Sequence, residues 1–187
     1  MHIQIIIGSI REGRIAKPVA DWAYNLLSER DDMSVELIDL KDWDLPMFDL
    51  ARGPIAGNYD NELQQRWSDK IAEGDGYLFV SPEYNHGYSA VLKNAIDYLY
   101  HEWSRKPASF ISYGGLGGAH STEQLRLVLI EIKMAALRDA VNIINVWGKM
   151  QDKRFDGDEK DIKALNTTVT ELMWWSSALK TARLASS

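Results

Sequence analysis

Gly8, Ser9, Arg11, Gly13 and Arg14 stand close together directly behind a β-favouring apolar run at 3–7, and Pro18 follows where a helix would open. That spacing suits an anion. A strand ending at a glycine leaves backbone N–H groups free, and a helix starting beside it directs unpaired N–H groups and the positive end of its dipole to the same spot. Ser9 adds a hydroxyl donor, while Arg11 and Arg14 add forked, permanent charges matched to phosphate oxygens. Two other glycine loops fail on the residues. Between Gly8 and Ile15 the spacing imitates a nucleotide-triphosphate loop, but Arg14 replaces the lysine and Ile15 the magnesium-binding hydroxyl. The dinucleotide fingerprint needs glycine in its third place, where Ile10 stands. The competing reading is an ordinary strand-to-helix turn with solvated arginines.

Two further stretches carry chemistry. Residues 77–80 read as a buried strand running into Ser81-Pro82-Glu83-Tyr84-Asn85-His86-Gly87-Tyr88, a turn dense in aromatic and polar groups. Phe110 to Tyr113 reads as another strand, emptying into Gly114-Gly115-Leu116-Gly117-Gly118, where bare backbone can approach a ligand closely. The four histidines, His2, His86, His101 and His120, show no metal-ligand spacing, so no metal site is expected.

The elements that must position these loops follow from periodicity. Val19, Trp22, Ala23, Leu26 and Leu27 share a helical face; Val35, Leu37 and Ile38 make a short strand. Pro, Gly and Asn punctuate 45–60, which reads either as a rim or lid or as a satellite cluster on the sheet edge. Asn61 caps a second helix, Ser89 a third with Leu92, Ala95, Ile96, Leu99 and Trp103 inward, and Ser121 with Gln124 has capping-box spacing for a fourth. That fourth helix, through Leu125, Leu127, Val128, Leu129, Ile130, Ile132 and Met134, is apolar nearly all round, so it is either sandwiched within the fold or, the favoured expectation, covered by a second subunit. A fifth strand at 141–146 and a last helix through Ile162, Leu165, Val169, Leu172 and Leu179 complete the series.

A chain of 187 residues suits one domain over 1–187. It has no cysteine, which excludes disulfides, thiol nucleophiles and iron-sulfur clusters and fits a cytoplasmic location. A net charge of -6 argues against nucleic acid, and no leader or span of about 20 apolar residues points to a membrane.

Strands alternating with helices predict a doubly wound α/β parallel sheet, with ligands beyond the carboxyl ends of the strands. Gly8 to Lys17, Pro82 to Tyr88 and Tyr113 to His120 then share one edge and describe a pocket for a phosphate tethered to a flat heterocycle.

The motifs GSIREGR at Gly8 to Arg14, SPEYNHGYSAVLKNAIDYL at Ser81 to Leu99, SYGGLGG at Ser112 to Gly118 and EQLRLVL at Glu123 to Leu129 resemble the NADPH-dependent FMN reductase family. The resemblance spans nearly the whole chain, and its middle motif is the most specific. It implies a flavodoxin-like three-layer sandwich with a five-stranded parallel sheet of order 2-1-3-4-5. It further implies FMN as cofactor, NADPH or NADH as reductant, and a homodimer or homotetramer. By position, Ser9, Arg11 and Arg14 with the backbone of Ala16, Lys17 and Pro18 would hold the phosphate. Pro82, Glu83, Tyr84 and Asn85 would line the flavin ring, with Ser112, Gly114 and Gly115 on its other side.

The implied reaction passes hydride from nicotinamide to flavin N5 and then electrons to a small-molecule acceptor: a quinone, azo compound, metal ion or free flavin. No side chain is named as catalytic acid or base, because the flavin carries the hydride chemistry. The chain departs from the expected pattern in two places. Ala16-Lys17 stand where many relatives have a small hydroxyl residue, and His120 stands where an arginine would pair with the 2′-phosphate of NADPH. The alternatives are a flavodoxin-type electron carrier that does not oxidise NAD(P)H, and a nucleotide-binding regulator without turnover.

Overall fold

The computed structural model describes residues 1–186. Its elements in chain order are β1 His2–Ile7, α1 Ala16–Leu27, β2 Ser34–Asp39, α2 Leu40–Trp43, α3 Glu62–Ala72, β3 Gly76–Pro82 and α4 Ala90–Asp97. Then come β4 Pro107–Tyr113, α5 Ala119–Glu131, β5 Ala135–Ala136, β6 Val141–Ile143, β7 Met150–Gln151, β8 Arg154–Phe155 and α6 Glu159–Leu184. The strand order is β2-β1-β3-β4-β5, with β6 also on β4, and every pairing in this sheet is parallel. This is the flavodoxin-like arrangement.

Both faces of the sheet are covered, which is why the central strands read as continuous apolar runs rather than alternating ones. Ile3, Ile5, Ile7, Leu78 and Val80 pack on one side against Val19, Ala23 and Leu27 of α1 and Leu165, Val169 and Leu172 of α6. Ile6, Tyr77, Phe79 and Phe110 pack on the other side against Trp67 and Ile71 of α3, Leu92 and Ile96 of α4, and Leu125 and Leu129 of α5. The result is three layers.

Several boundaries differ from the expectation. The fifth strand position is filled in two pieces: β5 pairs with Pro107 and Ala108, β6 with Ile111 to Tyr113. Between them Arg126 donates to the carbonyls of Leu137 and Arg138, at 3.0 and 2.6 Å, and Ser109 Oγ donates to Asp139 O. Side chains here satisfy backbone groups that a continuous strand would have paired. Ser121 is not a cap. Gly118 holds the cap position of α5, while Ser121 Oγ lies inside the fold, 3.1 Å from Ser81 Oγ and 3.2 Å from Pro82 O. Helix α5 ends at Glu131, so Met134 lies beyond it, and its apolar residues divide. Leu125 and Leu129 are fully buried, whereas Leu127 and Ile130 are 71% and 62% exposed.

The 45–60 segment forms the satellite cluster rather than a lid over the loops. Asn94 accepts from Phe48 N at 2.9 Å and donates to Pro46 O at 2.8 Å, and the Tyr98 hydroxyl donates to the same Pro46 carbonyl at 2.9 Å. Asn61 and Ser89 cap α3 and α4 as expected.

Candidate functional site

Parallel pairing brings the ends of β1, β3 and β4 to one edge: Ile7 is level with Val80, and Pro82 with Tyr113. Backbone hydrogen bonds continue past the strands, from Gly8 N to Val80 O and from Glu83 N to Tyr113 O, both 2.8 Å. Gly8 must be bare, since a Cβ there would sit 2.9 Å from Val80 O and 3.0 Å from the Leu92 side chain. Gly114 must be bare too, with a Cβ falling 2.9 Å from Glu83 Cβ. These approaches press the three loops together.

They enclose one cavity of about 230 Å³. Residues 11–15 line one side, Pro82, Glu83 and Tyr84 another, and Tyr113, Gly114, Gly115 and Trp147 the rest. No atom lies near the place of a Gly115 Cβ, so its backbone is open to a ligand. Arg11 is exposed, its guanidinium carbon 5.2 Å from the centre of the Tyr84 ring, and it has no acid partner among the described residues. The Tyr84 hydroxyl is 2.9 Å from Ser9 Oγ, joining the first loop to the second. At the start of α1, Ile15 contributes no side-chain cap, and the Ala16 N–H is directed at the Tyr113 hydroxyl on the cavity wall.

Charge at this edge is partly matched already. Arg14 makes two hydrogen bonds to the Asp39 carboxylate and a third to Ser9 O. Burial pushes the Tyr113 hydroxyl far above the usual phenol range and nearby Tyr84 adds to this, while Arg11 and Arg14 oppose it. It is therefore a neutral donor at every ordinary pH. Burial pushes the Glu83 carboxyl up, but hydrogen bonds from the His120 ring and from the Ser121 and His120 backbone outweigh it, so the net shift is downward.

Of the residues singled out from the sequence, Arg11, Arg14, Pro82, Glu83, Tyr84, Gly114 and Gly115 line the cavity. Ser9 is buried behind it, with its hydroxyl on Tyr84. Ala16 is buried at the first position of α1. Lys17 is turned to Asp21, 2.5 Å away, and Pro18 lines a different groove. Asn85 is exposed at the tip of a tight turn with φ 49. Ser112 is occupied within its own loop: Oγ donates to Gly117 O at 3.0 Å and accepts from Thr122 and Asn142 at 2.9 and 2.8 Å. It shapes the glycine loop and has no hydroxyl capacity left for a ligand.

Contributors left unassigned in the sequence include Glu12, Ile15, Tyr113 and Trp147 on the cavity wall and Asp39 behind it. Trp147 was visible at the exit of the fifth strand, whereas nothing local marked Asp39 as the partner of Arg14. The larger groove, about 700 Å³, lies between α1 and the β7–β8 hairpin and collects no strand-end loop.

Residues 1–148 match the family model for NADPH-dependent FMN reductase. An NAD(P)H-dependent FMN reductase from Schizosaccharomyces pombe is 43% identical over 134 residues, covering 71% of this chain and 67% of that protein. Another from Nectria sp is 36% identical, covering 91% and 96%. A quinone reductase from Pseudomonas putida is 31% identical, covering 81% and 85%. Among solved structures, the flavoenzyme NAD(P)H:(acceptor) oxidoreductase FerB from Paracoccus denitrificans superposes with a TM-score of 0.74 at 24% identity, covering 95% of this chain and 97% of that one.

Proposed function

The chain belongs to the NADPH-dependent FMN reductase family, and from that premise we propose that the cavity at the strand ends holds FMN. The protein is an FMN-dependent NAD(P)H oxidoreductase. The observation that carries the site assignment is the convergence of the Gly8, Pro82 and Gly114 loops on one cavity. The phosphate would lie at the 11–15 loop, held by Arg11 and by backbone N–H groups at the start of α1, with Arg14 shaping the loop through Asp39. The ring would lie against Pro82, Glu83, Tyr84, Gly114 and Gly115, where the open amides can meet electron-rich ring oxygens. FMN, when bound, supplies hydride acceptance and electron delivery. The chain's own part is to bind, orient and desolvate.

A quinone is the proposed acceptor class. Relatives named for quinone reduction support this, as do the flat faces of Tyr84 and Trp147 at the cavity. About 230 Å³ falls below the roughly 300–1,000 Å³ of fully enclosing sites, so part of the ring would project outward. A homo-oligomer is proposed to cover such surface, seated on the α5 face that exposes Leu127 and Ile130. His120, in place of an arginine and held by Glu83, supports use of NADH and NADPH to similar extents.

The test is spectroscopic. Purified protein should be yellow, bleach anaerobically with either nicotinamide, and recolour on adding a quinone. Bleaching only by a protein redox partner would favour the electron-carrier reading; a colourless protein that refuses FMN would remove both.

A further inference from the structure

Glu83 continues outward from the cavity into two histidines that the FMN reading does not use. Its Oε1 lies 3.0 Å from His120 Nδ1, and its Oε2 accepts from His120 N at 3.1 Å. The His86 ring lies on the His120 ring, with centroids 3.5 Å apart and planes inclined by 25°. One ligand atom from each of Glu83, His86 and His120 falls within 4.8 Å of the other two. Spacing along the chain does not reveal this grouping, because His120 arrives from a different loop.

His86 occupies its place at a conformational cost. It sits at φ 73 after Asn85 at φ 49, in the two-residue turn closed by Tyr84 N to Gly87 O at 2.8 Å and Gly87 N to Tyr84 O at 3.1 Å. Such a turn favours asparagine and then glycine. Asn85 obeys that preference and His86 does not. Gln124 Nε2 fastens the His86 carbonyl at 2.7 Å, fixing the position from which the ring reaches His120. A backbone held in a disfavoured region to present one side chain points to a use for that side chain.

A second group of suitable residues, His2, Glu36 and Glu73, shows the contrast. There Lys70 Nζ already occupies the centre, 3.0 Å from Glu36 and 2.7 Å from Glu73. Among the described residues Glu83 has no lysine or arginine partner, only His120.

We propose that Glu83, His86 and His120 bind one divalent first-row transition ion, with zinc the best match. Two imidazoles and one carboxylate suit zinc and its neighbours, whereas magnesium and calcium require mostly oxygen. Zinc bonds of about 2.0–2.2 Å set tetrahedral donors roughly 3.3 Å apart. The Glu83 and His120 atoms already meet that spacing, whereas His86 must swing off its stack on His120 so that its nitrogen lone pair, which lies in the ring plane, points at the ion. The ion takes the place of the hydrogen bond between Nδ1 and Oε1. A water completes the shell. The ion would tie the turn after β3 to the start of α5, the two segments that flank the cavity.

Tag-free, flavin-loaded protein stripped with a chelator and titrated with Co²⁺ tests this. The expected result is the intense visible d–d absorption of four-coordinate cobalt, saturating at one equivalent and erased by Zn²⁺. His86→Gly and His120→Ala should each weaken Co²⁺ by at least about tenfold, and His2→Ala should leave it unchanged. His86→Gly relaxes the strained turn, so in the metal-free state it should melt no lower than wild type, yet lose the rise in Tm that Zn²⁺ gives wild type. Cobalt that keeps the weak spectrum of the six-coordinate aquo ion, or affinity unchanged in both variants, would overturn the site. Flavin content read from the same samples keeps that failure distinct from any failure of FMN binding.

Discussion

Arg14 grips Asp39 through two hydrogen bonds, Nη1 to Oδ1 at 2.6 Å and Nη2 to Oδ2 at 2.5 Å, with 12% and 10% of the two side chains exposed. The pair fastens the end of β2 to the loop after β1, and the same Nη1 steadies Ser9 O at 2.5 Å. A charge matched this way sets the loop's shape before it serves a ligand. Arg14→Met leaves Asp39 nearly buried and uncompensated, and should cost about 3–5 kcal/mol of folding stability. Urea unfolding of FMN-free protein measures this, and adding Asp39→Asn should restore a good part of it. A loss under about 1 kcal/mol would show the pair to be solvated.

Arg11 has the opposite character: its guanidinium lies over the Tyr84 ring and pairs with no carboxylate among the described residues. Arg11→Ala should weaken FMN binding by about 1.5–3 kcal/mol with little change in folding stability. Titrating apoprotein with FMN by fluorescence quenching reads the affinity. An unchanged value would remove Arg11 from the phosphate site.

The glycine loop offers a paired test within one motif. At Gly118, φ is 73 and a Cβ would meet both Ser112 Cβ and Tyr113 N at 2.6 Å; at Gly115 nothing lies within 4 Å. Gly118→Ala should cost roughly 2–4 kcal/mol from strain and overpacking combined. Gly115→Ala should leave stability within about 0.5 kcal/mol, while crowding the cavity and weakening FMN. Equal stability losses in the two variants would contradict the loop geometry.

Lys106 gives a pH dependence. Its ammonium is buried, donating to Ala72 O at 3.0 Å and to the Tyr77 hydroxyl at 2.9 Å. Burial lowers its pKa to about 8, with nearby Arg183 contributing in the same direction. Because the unfolded chain holds this proton up to the ordinary value of 10.5, the unfolded state binds more protons between about 8 and 10.5. The cost of the buried charge, roughly 3 kcal/mol, is therefore full below pH 8 and relieved as pH rises. Tyr77, whose burial pushes its pKa well above 10.0, limits the usable window to below pH 10. The stability of wild type relative to Lys106→Met should improve from pH 8 to pH 10; a flat difference would mean the ammonium is hydrated.

The α5 surface separates assembly from folding. Leu127→Glu with Ile130→Glu should dissociate a homo-oligomer, read by sedimentation, while leaving a folded subunit. Leu129→Glu should instead unfold the chain, because Leu129 is fully buried against the sheet. A double variant that keeps its native mass would move the seam elsewhere.

Much of the architecture was legible from local pattern. Apolar runs ending at Gly8, Ser81 and Gly114 announced a parallel sheet with its loops on one edge, since a strand buried on both faces needs no alternation. The Asn61 and Ser89 caps were equally readable, because a cap is a contact over three residues. Ser121 misled for the same reason: its spacing matched a capping box, but Gly118 can enter the left-handed region and started the helix earlier. The split fifth strand was hidden, because Arg126 and Ser109 replace its missing ladder bonds from a distance.

At the site, the residue types and their order along the chain were enough to mark an arginine-bearing loop, an aromatic turn and a glycine loop, and the family those motifs resemble. Which of those residues line the cavity is decided only by contacts across the sheet. Arg14 turned to Asp39, Asn142 reached the Ser112 hydroxyl, and His86 met His120. Spacing along a chain governs neighbours within a turn or two; pairings across 25 or more residues depend on how the layers pack, and packing exists only once the whole chain has folded.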